Sequence, residues 1–75
     1  MRYEVDVKEF RKMMIEKGFL SIVALSKSSG VSRETISNIL NKNKRPNSTT
    51  IEKLAIAMDL TSAEVERLFF AQKLA

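Results

Sequence analysis

Gly30 most narrows what this chain can fold into, because it divides the stretch SIVALSKSSGVSRETISNIL into two helical segments, each opened by a serine. A helix that must reverse direction within a few residues commonly ends on a left-handed residue, which glycine adopts without strain. Ser21 caps the first segment, with Ile22, Leu25 and Ser26 on its inner side. Val31 fills the corner and Ser32 caps the second. There Ile36, Ile39 and Leu40 share one face, while Arg33, Glu34, Ser37, Asn38 and Asn41 point away. Two helices joined by a tight turn are therefore expected over residues 21–41.

The flanking sequence repeats the helical rhythm. Asp6 and Glu9 form a capping-box-like start, and Val7, Phe10, Met13, Met14 and Lys17 continue it as far as Gly18. Phe19 and Leu20 make a short connector. Lys42 to Thr49 lacks apolar residues, holds Pro46 and reads as an exposed loop. Thr49 with Glu52 suggests the next capping box, followed by Ile51, Leu54, Ala55 and Met58 at spacings of a helix. Thr61 with Glu64 starts a last helix, from about Ser62 towards the C-terminus. No strand-like alternation, repeat or low-complexity run is apparent. The expectation is an all-α, compact five-helix fold, with residues 1–75 forming a single domain.

Charge is placed unevenly. Of thirteen basic and nine acidic residues, five bases (Lys27, Arg33, Lys42, Lys44 and Arg45) and one acid (Glu34) lie within Lys27–Arg45; eight of each remain elsewhere. The whole excess of +4 thus sits in and around the two-helix stretch. Concentrated positive charge attracts a polyanion, and nucleic acid is the commonest such partner. With no cysteine and no histidine, thiolate and imidazole metal sites, disulfides and histidine-based catalysis are excluded. No metal, cofactor or catalytic residue is expected. No apolar run approaches the roughly 18 residues of a membrane span, and the first residues are too polar for a secretory signal. A cytoplasmic, nucleoid-associated protein with no membrane partner is the expectation.

In order and spacing, SIVALSKSSGVSRETISNIL, the following NKNKRP and TIEKLAIAMDLTSAEV resemble the lambda-repressor and Cro-like helix-turn-helix family, over about Ser21 to Val65. Ser21, Leu25, Ser26, Ser29, Gly30, Val31 and Ser32 stand in the places of the family's S-x-x-x-L-[AS]-x-x-[AS]-G-[VI]-S pattern. Three departures stand out. Ile22 occupies a place where many relatives carry a phosphate-touching glutamine. Leu40, Asn41 and Lys42 replace a Glu-Asn-Gly sequence whose glutamate pairs with an arginine of the first helix; Leu40 is expected to meet Met14 or Ile15 instead. The Phe19–Leu20 connector is one residue longer than usual.

The resemblance implies that the helix opened by Ser32 enters the major groove N-terminus first. Arg33, Glu34, Ser37 and Asn38 would then meet base edges: Arg33 suits guanine, Asn38 adenine and Glu34 a cytosine amino group. Glu34 alternatively holds Arg33 or Asn38, repels wrong sequences, or is simply solvated. Lys27, Ser32, Thr35, Asn41, Lys42, Asn43, Lys44 and Arg45 would contact phosphates, which position without reading sequence. Thr35 could equally serve the helix backbone, and Asn47 could approach the minor groove. Such modules usually bind an operator in pairs. A homodimer is expected, with Phe70 and Leu74 as its candidate surface; the alternative is that this stripe packs on the first helix or on Tyr3 and Val5.

Three functions compete. The leading one is a small phage or bacterial Cro-type or repressor-type transcriptional regulator that occupies a double-stranded operator. An antitoxin or phage modulator acting through a protein partner is the second, favoured by Phe70, Leu74 and the apolar Ile22, Val23 and Ala24. An enzyme is the poorest reading, since Glu64 and Glu66 are surface carboxylates and Asp6, Glu9 and Glu52 look like caps.

Overall fold

The computed structural model describes residues 2–73, with the side chains of residues 3–71. Five helices follow one another: α1 (Val7–Glu16), α2 (Ile22–Ser29), α3 (Arg33–Lys42), α4 (Ser48–Ala57) and α5 (Ser62–Phe69). Each begins on a side chain that accepts a backbone N–H otherwise lacking a partner. Asp6 accepts from Glu9 N, Ser21 from Ala24 N, Ser32 from Thr35 N and Thr61 from Glu64 N, each at 3.1 Å. Thr61 and Glu64 complete a reciprocal capping box, Glu64 Oε1 accepting from Thr61 N at 2.9 Å. These four starts coincide with those expected from sequence.

The start of α4 differs. Asn47, not Thr49, is its cap, and Asn47 Oδ1 accepts from Thr50 N at 2.8 Å. Buried Pro46 stops the preceding loop, so the residue immediately after it is the first free to take the cap conformation.

Two short strands also form where none was expected. β1 (Arg2–Glu4) and β2 (Ala71–Lys73) pair antiparallel, in the register Arg2↔Lys73, Tyr3↔Gln72 and Glu4↔Ala71. The last helix consequently ends at Phe69 instead of continuing towards the C-terminus. Three-residue strands are too short to show a period-2 pattern, and their pairing depends on the helices bringing both chain ends together.

The helices share one core. Phe10, Leu25, Ile36, Leu54, Leu68 and Phe69 are fully buried, and Phe10 meets Phe69 edge-to-face at a centroid distance of 5.6 Å. Leu40 and Met14 belong to this core and line a shallow groove together with Ile15, on the side expected for Leu40. Between α2 and α3, Gly30 is left-handed at φ 77°. Ser26 Oγ donates to the Val31 carbonyl at 2.6 Å, and Ser29 Oγ accepts from Val31 N at 3.1 Å. Those bonds tie both sides of the turn, so the outward face of α3 is held relative to α2.

Candidate nucleic-acid interface

The buried stripe of α3, Ile36, Ile39 and Leu40, determines what the helix presents outward. Arg33, Glu34, Asn41 and Lys42 are exposed, while Thr35, Ser37 and Asn38 are half-buried along the rims. At its first turn, Ser32 Oγ lies 2.8 Å from Thr35 Oγ1 as well as capping Thr35 N. The two hydroxyls therefore bond to each other at the helix start. Glu34 makes no hydrogen bond or ion pair among the described residues, so it holds neither Arg33 nor Asn38.

At the far end, Asn43 is left-handed at φ 49°, a conformation asparagine tolerates better than most residues. The Lys44 N–H returns to the Asn38 carbonyl at 3.1 Å, which fastens the basic loop to the helix. A cleft of about 300 Å³ separates α3 from that loop, lined by Thr35, Asn38, Lys44, Arg45, Asn47 and Thr50. The fold thus gathers Thr35, Asn38, Lys44 and Arg45 around one depression. Lys27 is exposed in the last turn of α2, and Lys42 and Asn43 are exposed where α3 ends. Asn47 faces the backbone of α4 as its cap.

Two contacts escape sequence reasoning. The Arg45 guanidinium lies 4.7 Å from the Phe70 ring centroid and 5.9 Å from that of Tyr3, while the two rings meet edge-to-face at 6.0 Å. This cation–π stacking binds the basic loop to the strand pair and α5. Phe70 is half-buried, packed against the core and Tyr3; Leu74 lies outside the described residues. The second contact is from Arg11 on α1, whose Nη2 reaches the Leu40 carbonyl at 3.3 Å and Asn41 Oδ1 at 3.1 Å. Arg11 is the one arginine of α1, the helix whose arginine pairs in relatives with the glutamate that Leu40 replaces; that replacement points to apolar packing and not to this contact with the carbonyl end of α3, about thirty residues away.

The electrostatics of this side contrast with those of α5. There the Glu64 carboxyl is held below its ordinary value of 4.5, chiefly by the backbone N–H of Thr61 and further by Lys17, against a desolvation that opposes the shift. Lys17 Nζ lies 3.5 Å from Glu64 Oε1 and 3.4 Å from the Asp59 carbonyl. Acid and base are paired there. On the α3 side the cations face solvent and Glu34 is the sole carboxylate between Lys27 and Arg45.

An outward polar helix, held by a glycine turn and flanked by cations with no ion pair among the described residues, is a shape and charge suited to the DNA groove. A family model described as helix-turn-helix matches residues 7–65, from the first residue of α1 into α5. A comparison with curated proteins returns no match. The chain belongs to the lambda-repressor and Cro-like helix-turn-helix family and is a DNA-binding transcriptional regulator of that type.

Proposed function

We propose that the protein is a sequence-specific operator-binding regulator of the small Cro or repressor kind, from a phage or bacterium, and that residues 1–75 act as one domain. The observation that carries this reading is the contrast across α3, whose inner stripe is buried while Arg33 and Glu34 stand exposed beside the basic loop. In the proposal Arg33, Glu34, Ser37 and Asn38 face base edges. Lys27, Ser32, Thr35, Lys42, Asn43, Lys44 and Arg45 lie along the sugar-phosphate backbone, with Asn41 at the junction of the two sets. Operator occupancy would act by occlusion of polymerase, with protein concentration its control.

Two copies on a near-palindromic site would place their α3 helices about 34 Å apart, one turn of duplex. A groove of about 780 Å³ lined by Tyr3, Leu60, Ser62, Val65, Glu66 and Phe70 supports a subunit contact near Phe70. No described helix is long and apolar enough to cross a membrane. The reading accordingly takes the nucleoid as the site of action.

Selection of bound sequences from a randomised duplex pool tests the base contacts. Arg33→Ala and Asn38→Ala should each relax the preference at one position per half-site, with a loss of about 1–3 kcal/mol of discrimination. If both variants select the same sequences as the wild type, α3 is not the reading element.

A second reading is favoured by one surface feature. Ile15, Leu20 and Val23 are 62%, 81% and 41% exposed, close to the groove between α1 and the start of α2. Clustered exposed apolar side chains suit a protein partner. An antitoxin-like or modulator role would make Leu20→Ser abolish partner binding while leaving DNA affinity intact.

A further inference from the structure

Asn41 stands one turn beyond Ser37 on α3, and both ends of its carboxamide are engaged. Oδ1 lies 3.1 Å from Arg11 Nη2, and Nδ2 lies 3.0 Å from Ser37 Oγ. A guanidinium carries N–H donors and no acceptor, so only the carboxamide oxygen can face it. Arg11 thereby excludes the flipped side chain and turns the Asn41 nitrogen towards Ser37. Ser37 Oγ accepts from that nitrogen, which leaves its own proton unused in the contact. Among the described residues no acceptor takes the Ser37 proton.

We infer that Arg11 and Asn41 are positioning residues that commit Ser37 to donate its hydrogen bond outward, making Ser37 a discriminator against cytosine. This rests on the proposed entry of α3 into the major groove. A serine hydroxyl is ordinarily ambivalent there, since it both gives and accepts. Guanine O6, thymine O4 and the N7 of either purine are acceptors, whereas cytosine presents only its amino donor. If Ser37 accepted from cytosine, its proton would be left without an acceptor in a desolvated contact. Cytosine, the one base with no acceptor in the groove, is therefore excluded from the position facing Ser37. Asn41, expected from sequence to hold a phosphate, acts through Ser37 and keeps only its second amide proton for the backbone.

The substitution Asn41→Asp reverses the relay. One carboxylate oxygen stays on Arg11, the other can only accept, and the Ser37 proton turns inward to it. Duplex selection with the wild type, Ser37→Ala and Asn41→Asp reads the result. Ser37→Ala marks the position concerned as the one whose preference disappears. At that position the wild-type discrimination against cytosine should be relieved by roughly tenfold in Asn41→Asp. Other positions should keep their preferences, although the added negative charge lowers affinity for every sequence. A cytosine preference in the wild type, an unchanged profile in Asn41→Asp, or no effect of Ser37→Ala overturns the inference while leaving the groove reading in place. Nuclear Overhauser contacts in the free protein test the relay without DNA: the Asn41 amide protons should lie beside the Ser37 methylene. Contacts to Arg11 instead would overturn it. A wild type that enriches no sequence removes the groove reading, and the inference falls with it.

Discussion

Arg45 shows how a single residue can serve both structure and binding. Its guanidinium lies near the Phe70 and Tyr3 rings, yet a cation–π contact uses up no N–H donor, so its N–H groups stay able to meet phosphate. The aromatic pair then acts as a platform that orders a long side chain before DNA arrives, which lowers the entropy lost on binding. Phe70→Leu should keep the apolar packing and remove the platform. We expect duplex affinity at low salt to fall about two- to five-fold with the selected sequence unchanged, as an exposed cation–π contact implies. Fluorescence anisotropy on a fixed duplex checks this; an unchanged affinity would mean that Arg45 needs no support from Phe70. The sequence made Arg45 visible as a cation in a basic loop. Its aromatic partners were not legible, because Tyr3 and Phe70 come together only once both chain ends reach the same side of the fold. Arg11 was only partly legible: the resemblance ties a first-helix arginine to the position of Leu40, but its acceptors here, the Leu40 carbonyl and Asn41, follow from the tertiary fold.

Among the elements, the helices were readable where their signals are local. Asp6, Ser21, Ser32 and Thr61 each bond within three residues, so their spacing in the chain already contains the geometry. The cap of α4 was misplaced by two residues because Thr49 and Glu52 imitate a capping box, whereas Asn47 profits from the stop imposed by Pro46. The strands were invisible, since a three-residue strand gains its pairing from the tertiary fold. At the start of α5 the capping box also predicts a pH dependence. Glu64 is lowered in the folded state, so its contribution is complete above its ordinary value of 4.5 and is lost as pH falls from there through the lowered folded value. Denaturant unfolding of the wild type and Glu64→Gln should therefore show a stability gap that narrows on acidification below 4.5. A gap independent of pH would show that the Thr61 N–H and Lys17 do not favour the charged carboxylate.

At the scale of the whole molecule, charge and size act together. The domain extends 35 × 24 × 21 Å, so one copy spans at most about one turn of duplex. In the proposed reading a second copy lengthens the site enough to be selected against a genome, and half-site spacing would report that assembly. The entire net charge of +4 arises from Lys27–Arg45 on and around α3, while the remaining acids and bases balance. Such an arrangement orients the molecule towards a polyanion before any specific contact forms. The central claim is that these cations neutralise DNA phosphates, and the salt dependence of duplex affinity tests it most directly. If Lys27, Lys42, Lys44 and Arg45 each neutralise one phosphate, log affinity should fall against log salt with a slope of about −3.6 per bound copy, and Lys44→Ala should reduce its magnitude by about 0.9. Absence of binding at low salt, or a slope near zero that Lys44→Ala leaves unaltered, would contradict the account.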